Sequence, residues 1–175
     1  MTKKIYIMLF ALALFSCNQK NESEANTDLL YFDLKGFFEQ EIVRLEKLNP
    51  TVNKAVSVNE TPENKNVKIT DWKKELAIFV NADINKASWR GSFKINKENN
   101  ADIYVSNNKK IPVKKVHIEK QGLKVSKIEI LIANTNILFQ SHDTLSYYPD
   151  SLYEIKKQQK IKLLSEKKYK VIGKF

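Results

Sequence analysis

Two histidines, one cysteine and a scatter of serines and carboxylates are the groups in this chain that could do chemistry. His142 and Asp143 are adjacent, with Ser141 and Ser146 close by, and these are the residue types of an acyl-transfer triad. In such a triad the carboxylate must orient the imidazole, whereas neighbours on an extended strand point to opposite faces. No GxSxG elbow is present to expose a serine. A turn or loop between Gln140 and Leu145 accounts for the same letters. His117 falls beside Lys115 and Glu119, on the polar side of an alternating stretch. A metal would need both histidines with carboxylates such as Glu119 or Asp143, and no HxH, HExxH or CxxC spacing supplies them. The four glycines form neither a GxGxxG nor a P-loop cradle, which excludes nucleotide chemistry of those kinds. The paired carboxylates, Glu39 with Glu41 and Glu60 with Glu63, fall on a helix surface or in a turn. Neither place offers the desolvation that raises a catalytic pKa. The expectation is a protein that is not an enzyme, with no catalytic residue, metal or cofactor.

The cysteine belongs to a different kind of signal. Lys3 and Lys4 precede an apolar run, Ile5 to Phe15, which ends in a small residue and Cys17. That is the charged, apolar and small-residue order of a secretory signal. The run is too short to span a bilayer, which takes about 20 apolar residues. Leu14-Phe15-Ser16-Cys17 resembles the lipobox of bacterial lipoprotein precursors. The resemblance implies that Cys17 becomes the mature N-terminus and carries a diacylglyceryl group. It further implies an exported protein, lipid-anchored in the cell envelope and expected at the outer membrane, with the periplasmic or surface face left open. Residues 1–16 are then the signal peptide, 17–27 the lipidated N-terminus and a flexible tether, and 28–175 a single domain. Asn18 to Thr27 lacks any large apolar residue, as a tether should. Its Glu22 and Glu24 fit either a sorting signal or an ordinary acidic linker. With Cys17 acylated no disulfide can form, so packing must hold the domain together.

The formal charge of +10 becomes 10 − 2 = +8 once Lys3 and Lys4 leave with the signal. A basic balance suits nucleic acid, an acidic glycan or a membrane surface. Arg44 and Arg90 are the only arginines, however, and base and phosphate readout favours arginine forks. Lysine, asparagine and isoleucine are all abundant, which reads as compositional bias and a solvated lysine face. No nucleic-acid partner is expected. The expected partners are the membrane, through the Cys17 anchor, and an envelope protein, glycan or lipid.

The elements that must position these groups follow from periodicity. Asp28 can cap a helix whose stripe runs through Leu30, Leu34, Phe37, Phe38, Ile42, Leu45 and Leu48, with Asn49-Pro50 as its stop. Val52, Val56 and Val58, a turn near Pro62, then Val67 and Ile69 predict a hairpin. Thr70 or Asp71 caps a second predicted helix with Trp72, Leu76, Phe79, Val80 and Ile84 on one face, ending near Asn85. From Trp89 to Phe175 the period falls to two, with turns roughly every 8–12 residues, the pattern of an antiparallel meander. Tyr104, Tyr147, Tyr148 and Tyr153 fall near strand ends and turns, where exposed aromatics stack on sugars or partners.

These readings add up to α+β: two amphipathic helices packed on a curved antiparallel β-sheet, with a hairpin between the helices and a C-terminal β-meander. The function expected is a non-catalytic binding or interaction module of the envelope. A half-barrel carrier of acyl chains or lipoproteins is one alternative, marked by an unfilled apolar cavity between sheet and helices. A hydrolase of envelope polymers is the other, marked by a cleft gathering His142, Asp143 and a further carboxylate.

Overall fold

The computed structural model describes residues 29–59 and 61–175. Cys17, the signal, the tether with Glu22 and Glu24, and the expected cap Asp28 lie outside the described residues, as does Glu60.

The first regular element is helix α1, Leu34–Leu48, which buries Leu34, Phe38, Ile42 and Leu45 along one stripe. Asp33 caps it, its carboxylate accepting from the Gly36 N–H at 2.8 Å. A Cβ at Gly36 would lie 2.1 Å from that carboxylate, so the cap and the glycine go together. Leu30 is exposed and precedes the helix, because the start signal at Asp33 overrides the longer apolar period. Asn49 takes the left-handed conformation and ends the helix before Pro50.

Among the described residues nine strands follow: β1 Thr51–Val58, β2 Thr61–Lys68, β3 Lys94–Glu98, β4 Ala101–Val105, β5 Val113–Gln121, β6 Lys124–Thr135, β7 Phe139–Tyr148, β8 Leu152–Ile161 and β9 Lys167–Lys174. They make one sheet in the order β2-β1-β9-β8-β7-β6-β5-β4-β3, every pair antiparallel. β3 to β9 are a meander, and the N-terminal hairpin extends it by pairing β1 against β9.

This overturns the expected α+β class. Among the described residues antiparallel sheet predominates, and helix is a minor component. The predicted second helix does not form as one element. Trp72–Glu75 (α2) and Ala77–Val80 (α3) are single turns, joined at Leu76, whose φ of −95° and ψ of 5° lie off the helical basin. Spacings of three and four fit successive turns as well as one helix, and that is why the periodicity misleads. Asp83 then closes the segment by accepting from the Asn85 N–H at 2.9 Å, a local bond that competes with helix propagation. The Asn85 side chain accepts from the Tyr31 N–H at 3.0 Å and donates to the Phe32 carbonyl at 3.0 Å. It thereby fixes where the chain enters the fold.

The core lies between these helical segments and one face of the sheet. Phe38 and Phe79 are fully buried with ring centroids 4.9 Å apart, and both meet Tyr147 of β7, at 5.1 and 5.9 Å. Trp72 stands edge-on to Phe175, and Tyr31 edge-on to Phe93 and Tyr104. The sheet contributes Val116, Ile118, Ile128, Ile130, Leu145 and Tyr153 to the same layer. Each offset or edge-on aromatic pair adds about 0.5–1.5 kcal/mol to the burial of its area. At Gly173 a Cβ would sit 2.3 Å from the Tyr153 ring, so the absence of a side chain on β9 is what lets that ring lie flat on the sheet.

Candidate functional site

Strand alternation sorts the residues of β7, β8 and β9 onto two faces. Tyr147, Tyr153 and Gly173 face the helices, so the even-numbered positions point to the opposite, open face. There the register aligns rows of side chains across five strands. Thr144 faces Lys156, Lys156 faces Lys170, Lys170 faces Ser57, and Ser57 faces Pro62. One row toward the β8–β9 turn, His142 faces Gln158 and Gln158 faces Lys168. One row the other way, Glu154 faces Ile172 and Ile172 faces Ala55.

All of these residues except Glu154 line a groove of about 650 Å³. That is within the range of about 300–1,000 Å³ typical of small-ligand sites. Ala55, Ile172 and Pro62 supply apolar wall, while Lys156, Lys168 and Lys170 bring three ammonium groups to the open face, the Lys157 ammonium lying on the other face beside Asp143. Lys156 and Lys170 are directly opposed across β8 and β9, a like-charge pair that destabilises a sheet. Glu154 offsets them, its two oxygens 2.8 Å from the Lys156 ammonium and 3.1 Å from that of Lys170. Burial pushes the Glu154 carboxyl up, but the hydrogen bonds from Lys156 and Lys170 outweigh it and hold the group below its ordinary value. One carboxylate thus serves two cations, and the groove keeps a surplus of positive charge.

Behind the groove, the facing pair Tyr147 and Tyr153 ties the strands to the helical layer. Tyr147 Oη donates to Glu41 Oε2 at 2.5 Å, and Tyr153 Oη donates to Glu75. Arg44 grips Glu41 through two bonds of 2.9 and 2.7 Å and reaches Asp150 in the β7–β8 turn at 2.7 Å. Lys54 of β1 holds Glu75 at 2.6 Å. Burial raises both phenol pKa values well above the usual tyrosine range, and the adjacent carboxylates add to it. The two phenols are therefore permanent donors that clamp α1 and α2 to the sheet.

The expected site residues fare differently. His142 is exposed on the open face at the edge of the groove, in the continuous strand β7, where a turn was expected. Asp143 is buried on the other face, accepting from the Ser141 hydroxyl and lying 3.6 Å from the Lys157 ammonium. The triad letters are thus split between two faces. Ser146 is buried on the face shared with His142. His117 lies 3.9 Å from Glu119 on β5, with β6 between it and the strand of His142. Among the described residues no three His, Cys, Asp or Glu side chains gather as a metal site would require. The tyrosine reading is corrected: Tyr104, Tyr147 and Tyr153 are buried core residues, and Tyr148 is half-buried under Lys127. Alternation, rather than closeness to a turn, decides their face. Glu41 is no free helix-surface carboxylate either, since Arg44 and Tyr147 hold it.

Lys156, Lys168 and Lys170 are the residues that sequence reasoning passed over. Their period of two along β8 and β9 was visible, but not that these strands lie side by side. No protein-family model matches the chain, and no curated protein or solved structure matches it either.

Proposed function

We propose that this chain is a lipid-anchored protein of the bacterial cell envelope that binds an anionic ligand in the groove over β7, β8, β9, β1 and β2. The observation that carries the reading is the opposed pair Lys156 and Lys170, with Lys168 beside them and Glu154 as their shared carboxylate, on the open face of the sheet. Glu154 offsets one of these two charges, and the positive charge left on Lys156, Lys168 and Lys170 favours an anion in the groove. The apolar wall of Ala55, Ile172 and Pro62 gives such a ligand a surface to lie on. The anchor rests on the lipobox resemblance of Leu14 to Cys17 and supplies the location. An acidic glycan or an anionic lipid headgroup of the envelope has the chemistry that the lysines select.

The binding reading is favoured over the alternatives on geometry. Hydrolysis through His142 and Asp143 would need both groups on one face. A carrier of acyl chains would need room under the helices, where Phe38, Phe79 and Tyr147 touch one another.

Titration with a sulfated oligosaccharide, followed by backbone amide shifts, tests the reading. The shifts should concentrate at Ser57, Thr144, Lys156, Lys170 and Ile172. Shifts spread evenly over lysines elsewhere, such as Lys97 and Lys109, would reduce the groove to general lysine bias.

A further inference from the structure

Four large aliphatic side chains stand in water at one end of the sheet. The β6–β7 turn presents Ile137, 89% exposed, and Leu138, and the β8–β9 turn presents Leu163, 97% exposed, and Leu164. The two turns are neighbours: the Lys162 N–H donates to the Leu138 carbonyl at 2.9 Å, and Phe139 faces Ile161 in the last rung of the ladder. Together they form one apolar tip.

Its backbone adds an independent observation. Leu163 has a φ of +69°, the left-handed region in which glycine or asparagine is the ordinary occupant. A leucine there is strained and also fully wet, so neither folding nor solubility accounts for it. Around the tip stand the exposed Lys160, Lys162 and Lys167, with Glu166 accepting a bond from the Gln158 side chain. Aliphatic tips ringed by lysines match a bilayer with anionic headgroups, where apolar chains enter the acyl boundary and ammonium groups meet phosphates. A protein partner would more typically be met by Trp, Tyr or Arg anchors, and the tip presents aliphatics and lysines instead.

We propose that the β6–β7 and β8–β9 turns dock the domain onto an anionic bilayer surface. The docking needs neither the groove nor the Cys17 lipid to be as proposed above. It would set the His142, Gln158 and Lys168 end of the groove nearest the membrane.

The test uses the full chain, purified from cells with its native N-terminus and carrying Ser165→Cys labelled with an environment-sensitive dye. The unsubstituted protein treated alike serves as the blank. With vesicles containing phosphatidylglycerol, the label should shift to the blue and be quenched by quenchers placed in the acyl region. A label at Glu98→Cys, in the strand end next to the β3–β4 turn at the opposite end of the sheet, should stay in water. Adding Leu163→Asn should abolish the shift at position 165 while the melting temperature holds or rises. A purely structural leucine would not behave so. Lys162→Gln with Lys167→Gln should move the docked equilibrium about 30-fold toward undocked, the usual worth of two lysines at an anionic surface. Water-like emission from position 165 in the presence of these vesicles would overturn the proposal. So would a blue shift that appears without vesicles as protein concentration rises, since that marks self-association.

Discussion

Phe79→Ala puts the packing argument at risk most simply. Phe79 is fully buried in α3, with its ring 4.9 Å from Phe38 and 5.9 Å from Tyr147. Truncation removes a ring from a layer shared by α1, α3 and β7. Phe→Ala in such a place costs about 3–5 kcal/mol, the transfer of the lost atoms plus the cavity that stays open. α3 is a single turn and can shift inward, which favours the lower end, about 3 kcal/mol. Urea unfolding is the assay. With a slope of about 1–3 kcal/mol per molar urea, the midpoint should fall by about 1–3 M with the slope unchanged. A loss under about 1 kcal/mol would refute the reasoning, because a filled layer cannot lose a phenyl ring so cheaply. If binding of an acyl probe changed as well, the space under α1 would be a ligand cavity and the carrier reading would replace ours.

Other expectations follow from the same contacts. Tyr147→Phe leaves the ring in place and removes the donor to Glu41, which keeps Arg44. A bond to a charged group is worth about 1.5–3 kcal/mol, so about 1–2 kcal/mol should be lost in the same urea titration. Intact mass analysis of the native N-terminus should find acylated Cys17, and an unmodified N-terminus downstream of it would remove the anchor from the proposal.

The parts of the fold legible in the sequence were those where a local signal and the tertiary structure agree. Asn49-Pro50 ends α1 as expected and the stripe from Leu34 to Leu45 is what the sheet buries, while the start lies at Asp33 and not at the expected Asp28. The β1–β2 hairpin and the period-two alternation after Lys94 read correctly as antiparallel strands, although Pro62, expected in the turn, pairs with Ser57 inside β2. The second helix failed because Trp72, Leu76, Phe79 and Ile84 satisfy a helical period while the backbone breaks at Leu76. The tyrosines failed for a related reason. Proximity to a turn says little about which face a residue takes, and Tyr147 and Tyr153 are inward by parity. The groove was the least legible part. It depends on β1 pairing with β9, more than a hundred residues apart along the chain, and no local pattern encodes that contact. Only once β9 lies between β8 and β1 do Lys156, Lys170 and Ser57 fall in one row. The Leu163 tip left a partial trace, as two consecutive leucines between Lys162 and Glu166 in a turn, but its left-handed backbone is a property of the folded hairpin.

The central claim is that the opposed lysines recognise an anion, and a charge-matched comparison tests it most directly. Affinity for the sulfated oligosaccharide would be measured for the wild type, for Lys156→Gln with Lys170→Gln, and for Lys97→Gln with Lys109→Gln, which removes the same charge from exposed sites outside the groove. At about 0.7 kcal/mol for each exposed charge contact, the groove variant should bind about tenfold more weakly while the distant variant stays close to wild type. Equal weakening in both variants would contradict the account, because the oligosaccharide would then respond to net charge and not to the groove.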